Sequence, residues 1–394
     1  MTLNTKIELK VHTSINQIDR EEWESIRDSS NLLTDLDFLE ALENGNITDC
    51  IPQYFELYSG SSLILTMAGF FITYDFTNYT KGFLRSLLQS IRKLLPGLLN
   101  IKTLEIGSPL NSGMTISINP HISNQDLSEG LDQLLAYTKS KNIKLIVIRD
   151  FQGNTTNFEN ILQQKGFTAS VNLPNAQLKI RWNSFAEYTA DLKYRRRKDL
   201  KRKMKYKKKY EIQTVLSNEE HCLDLTKEYV RLSEKFYKEL QQHDRNFFGE
   251  AYYHTIFQKM KGNVYWLQQF KDGELVNYSH GIVYNNEIIP MSIISDHNHS
   301  TNARLYFNAV FEWIKFAIKN GLDAVEGGPT SYDTKTGMGF SIFPQRLYLK
   351  IGNSILMRII AYSFSVFIER EMKKCHYAFK KNAYQTIWDG SKDF

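Results

Sequence analysis

The hydrophobic and polar positions of this chain predict alternating strands and helices in its first half. Apolar residues at every second position indicate strands, and apolar residues three or four positions apart indicate helices. In chain order, the pattern predicts the strand "IELKVHT", the helices "REEWESIRD" and "DLDFLEALENG", the strands "QYFELYS" and "LILTMAGFFITYDF", the extended runs "KTLEIGSP" and "MTISINP", the helix "LSEGLDQLLAYTKSKN", the buried strand "KLIVIRD", the helix "NFENILQQKGF" and the strand "QLKIRW".

The second half repeats that order. A strongly basic helix leads into the strand "YEIQTVL" and two helices, and three strands follow, the first two of which are joined at Asp272-Gly273, a hairpin signal. The helix "ARLYFNAVFEWIKFAIKNG", the strand "LDAVEGG", a glycine-rich stretch and the strand "FPQRLYLKI" complete the half. A period near half the chain length indicates a duplicated domain.

These patterns predict an α/β (α+β) protein of two similar domains, each a mixed, mostly antiparallel sheet flanked by helices. A chain of 394 residues exceeds what one hydrophobic core usually serves, which agrees with two domains. We predict an N-terminal domain at residues 1–183, a catalytic domain at 184–352 and a helical tail at 353–394.

Cysteine usage and apolar runs bear on the compartment. The three cysteines lie far apart without metal-type spacing, which is typical of a reducing compartment. The N-terminal stretch lacks the apolar core of a signal peptide, and no apolar run reaches transmembrane length. We therefore expect a cytoplasmic protein, with possible peripheral contact at the inner face of the membrane.

Positive charge is concentrated in residues 193–209. This segment holds twelve Lys or Arg against one Asp, a net charge of +11, which leaves about −5 for the rest of a chain whose total is +6. Crowded like charges favour a polyanionic partner: the phosphates of coenzyme A, an acidic acyl carrier protein or transfer RNA. A solvated surface helix is the alternative, and sequence-specific DNA binding is not expected.

Residues 325–340, "VEGGPTSYDTKTGMGF", place chemically useful side chains on a glycine-rich stretch after a buried strand. The glycines and the proline argue against regular structure there. Loops held by rigid elements often carry function, so the carboxylate of Glu326, the phenol of Tyr332 and the amine of Lys335 form a candidate site. The alternative is a tight surface turn with solvated charges.

The segment from Arg304 to Leu347 resembles tandem-GNAT proteins related to the Fem peptidoglycan aminoacyltransferases. Its matching positions are Glu326, Gly328, Lys335, Gly339 and Phe340. The order of elements in each half is likewise that of the GNAT acyltransferase fold. Two features depart from the pattern. Residues 218–262 are too short for a long helical hairpin, and "DHNHSTNAR" lacks the glycines with which GNAT enzymes hold the pyrophosphate of coenzyme A.

The resemblance implies direct attack of an amine on a thioester or ester carbonyl, which needs a deprotonated amine and a donor for the oxyanion. Lys335 matches the family lysine that steadies the oxyanion or the donor. The other candidate catalytic residues are Glu326 as a base, His280 as a base if it faces the cleft, and Asp296. The candidate substrate-binding residues are Tyr332, Tyr284, Arg304, Arg195, Arg196, Arg197, Lys201 and Arg202.

A metal site is not predicted, because His297 and His299 gain no further ligand at a recognisable spacing. In the first half, Arg149 and Asp150 occupy the position of Glu326, so we expect that half to help bind the acceptor. Two amphipathic or apolar segments, residues 82–99 and 354–374, either lie in a membrane interface or pack on the domains.

The predicted function is amide-forming N-acyl transfer from acyl-CoA or acyl carrier protein to an amine, with an amphiphilic long-chain amino lipid as the favoured acceptor. Bacterial N-acyltransferases of ceramide type look similar to this chain. The alternatives are aminoacyl-tRNA-dependent transfer to a cell-wall precursor, a small-molecule N-acetyltransferase, and a binding protein without catalysis. No bound cofactor is implied beyond the acyl donor.

Overall fold

The computed structural model describes residues 6–47, 49–75, 100–153, 156–239, 248–352, 365–366 and 368–388. The strands are β1 Ile7–His12, β2 Ile51–Ser59, β3 Ser62–Asp75, β4 Asn100–Ile106, β5 Ile116–Ile118, β6 Leu145–Phe151, β7 Thr168–Lys179, β8 Gln213–Ser217, β9 Val264–Lys271, β10 Glu274–Tyr284, β11 Glu287–Ser295, β12 Ala324–Glu326 and β13 Ser341–Ile351.

The helices surround one large sheet. They are α1 Arg20–Ile26, α2 Leu36–Asn44, α3 Asn124–Ser140, α4 Asn157–Gln164, α5 Phe185–Asp191, α6 Tyr194–Lys209, α7 Thr226–Glu239, α8 Glu250–Lys259, α9 His297–Ala303, α10 Leu305–Lys319 and α11 Tyr332–Gly337. Short 3₁₀ turns lie at Ile15–Gln17, Leu32–Thr34, Glu220–Leu225 and Asn382–Tyr384.

The topology shows the duplication that the sequence predicts. In the first half, β1, β2, β3 and β4 pair antiparallel in succession, and β4 then pairs parallel with β6. In the second half, β8, β9, β10 and β11 pair antiparallel in succession, and β11 then pairs parallel with β12. Each parallel pair is joined through a long helix, α3 or α10, as parallel strands require. The chain is therefore a tandem α/β fold.

The last strand of each half is exchanged with the other half. Strand β13 lies between β6 and β7 and is antiparallel to both, while β7 pairs on its other side with β12. The sheet order is thus β1-β2-β3-β4-β6-β13-β7-β12-β11-β10-β9-β8, with β5 paired to β3. The sequence predicted two sheets, and the exchange fuses them into one. The division of the chain at residue 184 stays a prediction.

Packing between helices adds a second connection between the halves. Trp23 and Phe38 of the first half share a buried cluster with Tyr252 and Trp266 of the second. At the contact of α2 with α8, the N–H of Gly249 donates to the carbonyl of Gly45 at 3.2 Å, an approach that small residues permit. The two halves consequently share a core as well as a sheet.

Local sequence signals explain several element boundaries. The hydroxyl of Thr156 accepts from the N–H of Glu159 while the Glu159 carboxylate accepts from the N–H of Thr156, the reciprocal cap that starts α4. Asp272 and Gly273 take φ values of 51° and 84°, the left-handed pair of a tight hairpin turn between β9 and β10. The predicted hairpin is confirmed.

The described part of the tail packs onto the second half. Residues 368–372 are helical, and Ala378 and Phe379 are fully buried in the second-half core. The side-chain amide of Gln385 donates to the carbonyls of Thr336 and Phe340, at 2.9 and 2.8 Å. The tail therefore supports α11 and the start of β13 rather than only adding helices. Residues 82–99 and most of 354–367 lie outside the described residues.

Candidate active site

A cavity of about 890 Å³ lies between the two halves. The first half contributes Phe70, Glu105, Arg149 and Asp150 to its wall, and the second contributes the segment Glu326 to Thr330. Apolar side chains also line it: Leu32, Leu33, Ile72, Leu110, Met114, Leu173, Ile289 and Met291. A large cleft with a few convergent polar groups is the usual form of a small-molecule site.

Backbone geometry at the end of β12 carries Glu326 into this cavity. The N–H of Gly327 donates to the carbonyl of Ala176 at 2.6 Å, and the N–H of Gly328 donates to the Glu326 carboxylate at 2.9 Å. A Cβ on Gly327 would lie 2.8 Å from the ring of Phe340, so only glycine fits there. Thr330 and Ser331 follow with φ values of 67° and 52°, a costly conformation for such residues that is common at functional sites.

Lys335 lies behind this segment and holds it. The predicted irregular stretch contains the short helix α11, which carries Lys335 on its buried side. The Nζ of Lys335 donates to the carbonyls of Gly328 and Pro329, at 3.0 and 2.6 Å. The lysine contributes no atoms to the cavity wall formed by the described residues. Its contacts position the Glu326 to Thr330 segment and do not support the predicted direct contact with an oxyanion.

Glu326 and Lys335 adjust each other's protonation. Burial raises the pKa of Glu326 to about 7, an effect that hydrogen bonds from Gly328 and Asn175 and the charge of Lys335 partly offset. Burial lowers the pKa of Lys335 to about 7, partly offset by the charge of Glu326. A carboxyl that titrates near neutral pH at the wall of a cavity is suited to take a proton from a substrate.

The opposite wall carries a charged group that the sequence analysis did not select as catalytic. Arg149 donates to the carboxylates of Glu105 and Asp150, at 2.5 and 2.6 Å, and also to the carbonyl of Ser108. The hydroxyl of Tyr74 donates to Glu105 at 2.5 Å. Two carboxyl groups thus face one guanidinium on this wall. The signal in the sequence was a charged pair at the end of the apolar strand "LIVIRDF".

Asp150 is the deepest member of that group. It is 1% exposed, and its carboxylate accepts from the N–H of Gly113 at 3.0 Å and from the amide of Asn172. Its φ of 71° places it in the left-handed region. Burial raises its pKa against the opposing effect of Arg149. Asp150 lies near the end of β6 and Glu326 at the end of β12, and each of these strands is the second member of a parallel pair in its half. The duplication therefore brings two carboxyl groups to one cavity.

His280 lies away from the cavity, within an aromatic cluster. It is fully buried, its Nε2 shares a 2.9 Å hydrogen bond with the hydroxyl of Tyr252, and the rings of Phe248 and Tyr253 pack against it. Burial lowers its pKa to about 3. The predicted role as a base required that His280 face the cleft, and this placement does not support it.

Asp296 and Tyr284 make structural contacts outside the cavity wall. Asp296 caps α9 by accepting from the N–H of Asn298 at 2.9 Å and pairs with Lys235 at 2.7 Å. Burial alone would raise the pKa of Asp296, but these two contacts lower it. The hydroxyl of Tyr284 accepts from Arg27 at 2.7 Å and donates to Asp35 at 3.0 Å, which joins the two halves.

Tyr332 and Arg304 also serve local structure. The hydroxyl of Tyr332 donates to the carbonyl of Pro174 at 2.9 Å, and the residue is 2% exposed. Arg304 lies between α9 and α10 with a φ of 56°, and its guanidinium lies 5.7 Å from the ring centre of Tyr206. Arg304 thus connects the start of α10 to the basic helix α6.

The basic helix α6 has one packed face and one charged face. Leu200 is buried, Lys207 pairs with Glu312 at 3.0 Å, and the Nζ of Lys203 lies 3.4 Å from the ring centre of Phe307. Among the predicted binding residues, Arg195, Lys201 and Arg202 are exposed and Arg196 and Arg197 are half-buried. Arg202 pairs with Asp199, and Arg197 donates to the carbonyl of Ala190.

Two searches of the described residues bear on metals and membranes. No cluster of three or more His, Cys, Asp or Glu is placed there to hold a metal ion. In the same part of the chain, every helix is too short or too polar to cross a membrane.

Comparisons with known proteins define the class. The structure aligns with the crystal structure of FemX at a TM-score of 0.53 and 10% identity, over 90% of this chain and 100% of that one. It also aligns with a tandem GNAT protein from the clavulanic acid biosynthesis pathway at a TM-score of 0.47 and 9% identity, over 88% and 99% of the two chains. The structure therefore has the fold of FemX.

Residues 107–386, more than half of the chain, match the model of the FemAB-like family, described as peptidoglycan biosynthesis/recognition. The chain belongs to this family. A putative 8-amino-7-oxononanoate synthase 2 of Mycobacterium tuberculosis (strain CDC 1551 / Oshkosh) is 23% identical over 331 residues, which cover 80% of this chain and 41% of that protein. The chain thus spans less than half the length of this relative.

Proposed function

We propose that the protein is an amide-forming N-acyltransferase that moves an acyl group from a thioester donor, acyl-CoA or acyl carrier protein, to the amine of an amphiphilic long-chain molecule. The observation that carries this proposal is the placement of Glu326. A half-buried carboxyl with a pKa of about 7 lies at the wall of a large cavity that both halves of the chain line.

The charges of the cavity suit an amine acceptor. Glu105, Asp150 and Glu326 contribute carboxyl groups to the wall, and Arg149 offsets part of their charge. An amine arrives at neutral pH as an ammonium ion, which such a wall attracts because charge interactions strengthen away from bulk water. The apolar side chains around these groups favour an acceptor with a hydrocarbon portion.

In this proposal, Glu326 takes the proton from the bound ammonium. The free amine then attacks the thioester carbonyl, a C–N bond forms and the C–S bond breaks. The attacking nitrogen gives a second proton to the leaving thiolate, which leaves as the thiol, and Glu326 returns the first proton to solvent. A base whose pKa is close to the operating pH is the most effective for such a transfer. Lys335 holds the carbonyls of Gly328 and Pro329 and thereby fixes the position of Glu326.

The donor is proposed to reach the cavity from the side of the second half. Exposed Lys and Arg side chains on α6 offer contacts to the phosphates of coenzyme A or to an acidic carrier protein. The start of α10, next to Arg304, adds backbone N–H groups of the kind that hold phosphate.

The rival function is Fem-like transfer from aminoacyl-tRNA to a cell-wall precursor. The exposed charge of α6 and the likeness to FemX favour this rival. Both functions share the amine acceptor and the attack on an activated carbonyl, so the identity of the donor distinguishes them.

The test supplies the purified protein with long-chain alkylamines and either acyl-CoA, acyl carrier protein thioesters or aminoacyl-tRNA, and detects amide products by mass spectrometry. We expect amide from the thioester donors. Glu326→Gln is expected to lower kcat/KM by about 10²–10⁴-fold, the usual contribution of a general base. Glu234→Gln, an exposed glutamate on α7, is the matched control. Product from aminoacyl-tRNA alone would support the rival, and full activity of Glu326→Gln would contradict the proposed base.

A further inference from the structure

A second, smaller cavity of about 260 Å³ adjoins the main one inside the first half. It lies between α2 and the sheet, with Leu39 and Leu42 on one side and Ala68 of β3 on the other. Cys50, Phe70 and Pro109 line both cavities. These three residues therefore lie between the two neighbouring cavities, and the smaller cavity is called the branch.

Three polar side chains in the branch, those of Glu43, Tyr54 and Thr115, are already bonded within the protein. The Glu43 carboxylate accepts from the hydroxyl of Ser14, the N–H of Ile15 and the hydroxyl of Tyr54, at 2.6, 2.8 and 3.0 Å. The hydroxyl of Thr115 donates to the carbonyl of Ala68 at 2.6 Å. A polar ligand would lose its bonds to water in the branch and gain few in return, which is unfavourable.

Most of the other side chains that line the branch are apolar. Leu39, Leu42, Ile47, Ala68 and Phe70 present hydrocarbon surface to a space that is larger than a buried water site requires. A space of this kind favours an apolar occupant, because burial of hydrocarbon is favourable and water finds no partners there. A small, largely apolar cavity next to a larger one with a polar reacting centre suits a chain whose reactive head stays in the main cavity.

We propose that this branch binds the unbranched hydrocarbon chain of a substrate, while the reacting head group lies near Glu326 and Asp150. The inference rests on the proposed function for the identity of the head group. The chain belongs either to the amine acceptor or to the acyl donor. The two share the same chemistry, and the experiment separates them.

The experiment measures Kd by titration calorimetry for n-alkylamines and for S-acyl pantetheines, each from six to sixteen carbons and below its aggregation concentration. In the series whose chain enters the branch, each added methylene is expected to lower Kd about fourfold until the branch is full, after which Kd stays constant. Binding is expected to show a negative heat-capacity change, the mark of apolar burial. A plateau with the amines assigns the branch to the acceptor, and a plateau with the pantetheines assigns it to the donor.

Two variants change the size of the branch in opposite directions. Ala68→Leu is expected to move the plateau to shorter chains, and Leu42→Ala to longer chains. A merely destabilising change would weaken all chain lengths alike and leave the plateau in place. Ala186→Leu, on the exposed side of α5, adds the same carbons away from the branch and is expected to change nothing.

The outcomes separate this inference from the proposed function. A plateau that moves with both variants supports the branch even if no donor gives amide. Two results would overturn the assignment of the branch to a hydrocarbon chain and leave the proposed function standing. One is amide formation with a Kd that does not depend on chain length, and the other is a plateau that moves in neither variant.

Discussion

At the scale of single residues, the site depends on the pairing of Glu326 with Lys335. Neither group has its ordinary pKa, because burial shifts both pKa values and the charge of each residue partly offsets the shift of the other. The lysine holds the backbone beside the glutamate through two carbonyl contacts. Geometry and protonation at this site are therefore coupled, and a change in one residue is expected to appear in the pH behaviour of the other.

Lys335→Met is expected to shift the pH dependence of turnover. The charge of Lys335 lowers the pKa of Glu326, so its removal raises that pKa above 7. A base works only when deprotonated, and the rise of kcat/KM with pH is therefore expected to move to higher pH. Lys350→Met is the matched control, because the Nζ of Lys350 also donates to a carbonyl, that of Lys165, away from the cavity. An unmoved pH profile in Lys335→Met would contradict the coupling.

Glu326→Gln is expected to gain stability relative to the wild type as pH rises from 4.5 to 7. The pKa of Glu326 is about 7 in the folded protein and has an ordinary value of 4.5, so in this window the folded state keeps a proton that the unfolded chain has lost. Rising pH therefore destabilises the wild type, whereas glutamine has no such proton. Urea unfolding of both proteins at pH 5 and pH 7.5 measures the free energy of unfolding. The value of the variant minus that of the wild type is expected to rise between these pH values by an amount on the order of 1–3 kcal/mol. If it stays constant, the raised pKa is contradicted.

Residue types and spacing identified part of this site from the sequence. Glu326 and Lys335 were selected because they stand on a glycine-rich stretch after a buried strand, and the structure places them together. His280 shows the limit of such reasoning. A histidine within a strand faces one side or the other, and the side is decided by packing against α8, which is distant in sequence. Asp150 was matched in sequence to the position of Glu326, but its place in the same cavity as Glu326 depends on how the two halves meet.

At the scale of elements, α6 combines a structural and a recognition face. Its buried Leu200 and the pair Lys207–Glu312 fix it on α10, so its exposed charges are held in place beside the start of that helix. Fixed charges recognise a polyanion better than mobile ones, since less conformational freedom is lost on binding.

Replacing Lys198, Lys201 and Lys205 together by Gln is expected to raise the KM of the phosphate-bearing donor about tenfold and leave kcat unchanged. Each exposed charge contributes up to about 1 kcal/mol. Steady-state kinetics at two salt concentrations are expected to show a weaker salt dependence in the variant. Lys207→Gln is the control. It breaks the pair with Glu312, so it is expected to lower the Tm and to have little effect on the KM of the donor. An unchanged KM in the triple variant would place the donor elsewhere.

The order of the elements was predictable from the sequence, and their partners were not. The two halves show the same succession of strands and helices because the hydrophobic pattern repeats. However, β7 and β13 follow similar strands and carry similar alternation, so each fits antiparallel beside a strand of either half. Which half each strand joins is decided by how the two halves pack together, and local sequence patterns do not describe that packing.

At the scale of the whole molecule, the exchanged strands make the halves depend on each other. Removing the second half would leave β6 and β7 without β13 between them, and removing the first would leave β12 without β7. The shared cluster around Trp23 and Trp266 adds to this dependence. We therefore expect the two halves to fold as one unit.

Calorimetric unfolding is expected to show one transition in which the van't Hoff and calorimetric enthalpies agree. Expressed separately, residues 1–183 and 184–394 are expected to lack cooperative unfolding, and co-expression of the two is expected to restore it. Two separate transitions in the intact chain, or cooperative unfolding of either fragment alone, would contradict this dependence.

The exchanged strand also limits how the cavity can change its width. Tyr348 of β13 is paired to Ile148 on one side and to Ala169 on the other, so this strand is bonded to its neighbours along both edges. Hinge closure needs two bodies joined by a few loop residues. The two halves are instead joined by β13, a strand hydrogen-bonded along both of its edges, which does not bend in that way. We therefore expect the cavity to keep a constant width, and substrates to be selected by how they fit its walls rather than by closure around them.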